Sequence, residues 1–204
     1  MTPIEEIEHD LDWREAEMAV LRLMLTDNGL PERTKRVLFR SAWSMLYAHF
    51  EGFCKFTLTV FYDTVGSKGS VCSDLATNTQ VFALSGELKT LRNLPPAELI
   101  ERIQNFETEV LAKAPKFPEV DTESNLWPSV LERLISDADL QLDSLSQNAR
   151  TISTLVSRRN KIAHGERDII PDFDYYLKFE DAVKNVMYEL AIAVDKKLSS
   201  YLAG

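Results

Sequence analysis

Cysteine is scarce in this chain, with only Cys54 and Cys72 among 204 residues. Two cysteines in a chain of this size build no disulfide framework, so a reducing, cytoplasmic setting is expected. Glycine is sparse too, at seven residues, and no segment alternates apolar and polar residues as a half-buried strand does. No apolar run approaches the about 20 residues that cross a bilayer. The N-terminal segment is acidic and does not lead from a basic stretch into an apolar one, so neither membrane insertion nor secretion is expected. Positive charge is the minority, with 23 Lys and Arg against 32 Asp and Glu and a formal net charge of −9. That balance excludes a uniform polyanion-binding surface. A nucleic-acid partner has to be held by a local basic patch inside a field that otherwise repels it.

Several chemistries are missing as well. None of His9, His49 and His164 has a second histidine three or four positions away, and no Cys-x-x-Cys pair occurs, so nothing reads as a metal site. Serine and cysteine nucleophile motifs are absent. Gly66-Ser67-Lys68-Gly69-Ser70 lacks the spacing of a phosphate-binding loop and reads as a flexible turn. No cofactor is implied.

What is present is helix. Thr2, Pro3 and Glu5 form a start signal. Ile4, Ile7, Leu11, Met18, Leu21 and Leu25 then recur at heptad spacing, with Arg14 in the one slot that breaks the seam. Pro31 opens a second helix carried to about Thr64, about 50 Å long, for which a bend or a protruding end is expected. It bears two adjacent apolar stripes: Leu38, Ala42, Met45, His49, Phe53, Phe56 and Val60, then Phe39, Trp43, Leu46, Phe50, Cys54 and Phe61. Arg40, Ser44, Tyr47, Glu51 and Lys55 form its polar side, where Glu51 and Lys55 are spaced to pair. Residues 74–93 read as irregular with one short helix, Ala97 to about Glu107 as a helix, and 112–127 as a long surface connection. Short helical signals follow from Pro128 to Ile135. A helix beginning at Asn148 or Ala149 comes next, and a last one runs from about Asp172 to Leu202. With no break in composition, residues 1–204 read as a single domain. The fold class is all-α, a bundle of four or five main helices with a long second helix.

The sharpest local signal ends the helix that begins near Asn148. Arg158, Arg159, Asn160, Lys161 and His164 crowd its last turns, and Gly165 supplies a left-handed stop. A basic last turn also serves folding alone, since cations complement the negative end of the helix dipole. On an ideal helix Arg159 and His164 point about 140° apart with about 7.5 Å of rise, whereas Asn160 and His164 share a face. Three routes would bring Arg159 and His164 to one atom: a wrapped arginine side chain, a helix loosened near Gly165, or two copies meeting across a dimer axis. A single histidine beside a guanidinium suits a reaction that moves protons while charge builds on phosphate.

Arg159-Asn160-Lys161-Ile162-Ala163-His164-Gly165 resembles the signature of the HEPN superfamily. Trp43 to Lys55 and Asp121 to Leu126 are similar to blocks of its MAE-type branch of HEPN-like nucleases, in the expected order. The resemblance implies metal-independent endoribonuclease activity. His164 would exchange protons with the 2′-hydroxyl or the departing 5′-oxygen, and Arg159 would hold the scissile phosphate. Asn160 and Glu51 would support them, and Arg158 and Lys161 would meet neighbouring phosphates. It further implies an RNA substrate, a homodimer, and a toxin or defence effector restrained by an antitoxin or other regulatory protein. HEPN-like bundles also serve as non-catalytic interaction modules or nucleotide-binding accessories, which is the rival expectation.

Overall fold

Thr2 starts the first helix by a reciprocal cap. Its hydroxyl accepts from the Glu5 amide at 3.3 Å, and the Glu5 carboxylate accepts from the Thr2 amide at 2.7 Å. The computed structural model describes residues 1–202. It contains α1 (Pro3–Leu25), α2 (Glu32–Ser67), α3 (Thr77–Ala83), α4 (Ser85–Leu91), α5 (Pro96–Gln104), α6 (Pro128–Asp137), α7 (Asp143–Ala163) and α8 (Phe173–Leu202), and no strand among the described residues. A 3-10 turn (Cys72–Asp74) and a π-helical turn (Glu107–Leu111) complete the connections.

The heptad seam of α1 is buried as its spacing predicts, at Ile7, Met18, Leu21 and Leu25. The polar slot in that seam has a partner. Arg14 lies over Gly52 of α2, where an added Cβ would come within 2.8 Å of its guanidinium. It pairs with Asp10 at 2.7 Å and packs on the Trp13 ring at 4.5 Å. The missing side chain of Gly52 is therefore the space that lets a charged residue sit in an apolar seam.

Helix α2, 36 residues long, is the hub, packing against α1, α7 and α8. Its Trp43, Leu46, Phe50, Phe53, Leu58 and Phe61 are fully buried in one core shared with those helices and α6. His49 is a core histidine as its stripe suggests. Burial, and then the charge of Arg14, push its pKa down. Its Nε2 stands 3.2 Å from a Glu17 carboxylate oxygen without an aligned hydrogen bond.

Five expectations are corrected. Tyr47, assigned by spacing to the polar side of α2, is buried, while Met45 on the apolar stripe is exposed. Lys55 pairs with Glu119 at 2.7 Å and not with Glu51. Residues 74–93 hold two short helices, α3 and α4. The connection 112–127 runs partly through the core, burying Val120 and Leu126 and setting Phe117 against Tyr62 at 4.7 Å. Helix α7 also begins earlier than its apolar pattern, at Asp143. The Glu189 carboxylate of α8 accepts from the Asp143 and Ser144 amides at 3.0 and 2.7 Å and so supplies the missing cap.

Candidate active site

Helix α7 delivers the basic motif and stops cleanly. Its helical bonding runs through His164, whose amide donates to the Asn160 carbonyl at 2.9 Å. Gly165 then turns left-handed at φ +79°. The Gly165 amide donates to Ile162 and the Glu166 amide to Lys161, at 3.0 and 2.9 Å. This is a Schellman stop, and it places His164 as the last residue before the turn. The helix therefore does not loosen ahead of Gly165, which leaves side-chain reach or a second copy as routes to convergence. His164 and Lys161 are exposed, and Asn160 is half-buried. The His164 side chain makes no hydrogen bond among the described residues.

Arg159 points elsewhere. Its guanidinium carbon lies 3.7 Å above the centre of the Tyr47 ring on α2, close enough for a strong cation–π contact. The helical spacing of Tyr47 marks it only as a polar-side residue, not as part of a site. Its hydroxyl oxygen accepts from the Leu126 amide at 2.7 Å, and Glu51, one turn along α2, faces it electrostatically. Burial is the main cause pushing the Tyr47 pKa up to about 12. The Glu51 charge adds to the rise, and the Leu126 amide and Arg159 oppose it. Tyr47 is thus a neutral platform at any working pH.

The segment that meets Tyr47 is bent to do so. Glu123 and Ser124 both adopt positive φ, at +54° and +65°. Asn125 donates its amide to the Thr122 carbonyl at 3.1 Å, and Glu123 donates to the Asp121 carboxylate at 2.8 Å. Two successive left-handed residues closed in this way ordinarily call for Gly or Asn, and a side chain there costs of order 1–3 kcal/mol each. That strain presents Leu126 to Tyr47. Asn125 Oδ1 and Arg159 Nε are both buried with no hydrogen-bond partner among the described residues.

Arg158 has a different position. It donates to the Ile169 carbonyl at 3.0 Å, lies 3.6 Å from Asp168, and covers the rings of Tyr175 and Trp43 at 5.1 and 5.8 Å. Trp43 in turn donates its ring N–H to the Leu155 carbonyl of α7 at 3.1 Å. Arg158 therefore ties the segment after the motif back onto α7 and α2.

Around Tyr47 the fold brings together Arg159, Glu51 and the 121–126 segment. His164, Lys161 and Asn160 stay at the end of α7. An all-α bundle with a long second helix and a motif helix closing in Arg-x4-His is consistent with the HEPN class that the motif resembles. The chain belongs to the MAE_28990-like HEPN family, whose model matches residues 3–202. No curated protein and no solved structure matches it. No described helix is long and apolar enough to cross a membrane.

Proposed function

We propose that this protein is a metal-independent endoribonuclease that works as a homodimer, as a toxin or defence effector held in check by an antitoxin or other regulatory protein. The supporting observation is the stacking of Arg159 on Tyr47, which fixes one end of the motif while the Schellman stop leaves His164 facing solvent. His164 acts as the acid/base group on the 2′-hydroxyl or the leaving 5′-oxygen. Arg159 binds the scissile phosphate through its planar fork, a task that lysine performs poorly. Glu51 and Asn160 support these two, and Lys161 meets a neighbouring phosphate. Arg158, expected at a neighbouring phosphate, is instead engaged by Asp168 and the Ile169 carbonyl, and contributes through the strap it anchors, residues 166–172.

The test is incubation of the purified protein with total RNA in EDTA. Cleavage proceeds and leaves a 2′,3′-cyclic phosphate or its hydrolysis product. His164→Ala lowers it by at least about a hundredfold, the scale for losing an acid/base group, without changing the melting curve. Arg159→Lys loses nearly as much. Undiminished cleavage by folded His164→Ala overturns the assignment. RNA left intact by wild type would favour the rival reading, a non-catalytic interaction or nucleotide-binding module, which suits the acidic surface.

A further inference from the structure

A groove of about 420 Å³ runs between the first turns of α2 and the strap that follows the motif. Arg33, Arg36, Val37 and Arg40 line it from α2, and Arg167 and Ile169 from the strap. The two carboxylates in its wall are already paired: Glu32 with Arg36 at 3.0 Å and Asp168 with Arg158 at 3.6 Å. Six of the twelve arginines make no ion pair among the described residues, namely Arg33, Arg40, Arg92, Arg150, Arg159 and Arg167. Three of those six line this one groove. A fourth, Arg159, stands at the motif. In a chain with net charge −9, surplus positive charge has been gathered in one place.

The fold does not need this cluster. Arg33, Lys35 and Arg36 occupy the first two turns of α2, the end where the helix dipole repels cations. Arg33 and Arg40 are seven residues apart, so they share a face with about 10 Å of rise. That span covers about three phosphates at the about 3.4 Å spacing of a stacked strand. Between them Val37 is 61% exposed, and across the groove Ile169 is 51% exposed, which offers apolar contact to sugars or bases. The groove is also tied to the motif through the chain. Arg167 lies three residues past His164, and Arg158, next to Arg159, holds the Ile169 carbonyl.

We propose that this groove binds consecutive phosphodiesters of single-stranded RNA flanking the phosphate held at Arg159. The proposal rests on the ribonuclease reading for the identity of the strand. Arginine suits the role, since its fork grips phosphate oxygens in pairs.

The test uses the full chain carrying His164→Ala, so that binding is read without cleavage. Fluorescence anisotropy follows a labelled single-stranded RNA of about 12 nucleotides, a length chosen to reach beyond a single phosphate. Adding Arg33→Gln and Arg40→Gln weakens binding at least about tenfold and lowers the slope of log affinity against log salt by about 1.4, the value for two lost single-strand phosphate contacts. Melting temperature stays level or rises slightly as the dipole clash is relieved. Unchanged RNA affinity overturns the proposal. So does polyglutamate binding as tightly as RNA with the same loss on substitution, which would mark a site for an acidic protein. A shift in sedimentation between dimer and monomer on substitution also overturns it, because the groove would then be a contact between chains. The two readings fail separately. Groove-dependent RNA binding with no cleavage by the His164 protein refutes only the nuclease, whereas cleavage with groove-independent binding refutes only the groove.

Discussion

Tyr47 carries two separable loads, and substitution can pull them apart. Its hydroxyl oxygen satisfies the buried Leu126 amide, and its ring face holds the Arg159 guanidinium. Tyr47→Phe keeps the face and removes the acceptor, leaving a buried N–H unpaired at a cost of about 1–3 kcal/mol. Denaturant unfolding reads that loss directly, and cleavage by the folded variant stays within a few-fold of wild type. Tyr47→Leu removes the face as well. Arg159 then loses a contact worth about 0.5–2 kcal/mol and with it a fixed position. Cleavage falls about a further tenfold, since that range brackets the 1.4 kcal/mol of one decade. If folded Tyr47→Leu cleaves as well as Tyr47→Phe, the ring does not position Arg159, and its stacking is packing alone.

At the scale of the element, helix α7 depends on a carboxylate from another helix. Burial alone would raise the Glu189 pKa, but the hydrogen bonds from Ser144 and Asp143 outweigh it and hold the carboxyl below the ordinary range. A depressed carboxylate stabilises the fold above its unfolded pKa, and that stability is lost as pH falls through the folded value. Glu189→Ala should therefore cost about 0.5–2 kcal/mol near neutral pH, the scale of a lost N-cap. The gap from wild type is full above about pH 4.5 and narrows below it. Urea midpoints for the pair at neutral and acid pH measure this, and a gap that is constant with pH would rule out the charged cap. The same contact explains why the start of α7 was not legible. Thr2 caps α1 with a partner three residues away, so that start is written locally, whereas Glu189 lies 46 residues from Asp143. The Gly165 stop is local too, and is legible in the sequence. Tyr47 sits at a helical spacing it shares with Ser44 and Glu51, so only the remote 121–126 segment reveals that it is buried. Arg40 reads as one member of a polar side, and it joins Arg33 in a basic groove only when Arg167 is set beside them across more than a hundred residues.

For the whole molecule, the proposed reaction asks two side chains that diverge on one helix to serve one phosphate. Within one protomer Arg159 turns in towards α2 and rests on Tyr47, while His164 faces solvent at the end of α7. Regular bonding up to His164 allows no slack in the helix between them. A two-fold axis near the ends of two α7 helices would answer this, because an isologous contact places each arginine near the partner's histidine. Arg159→Ala and His164→Ala should each be inactive alone yet recover activity when mixed and allowed to exchange subunits. In the mixed dimer one composite site carries both lesions and the other carries neither. Random exchange at equal amounts makes half the dimers mixed, each with one intact site of two, so activity returns to about a quarter of wild type. Sites built within single protomers would show no recovery, since every one would keep one lesion. Sedimentation of the same mixture confirms that exchange took place. Dimers that exchange without regaining activity would place Arg159 and His164 of one chain at the same phosphate and leave side-chain reach as the remaining route.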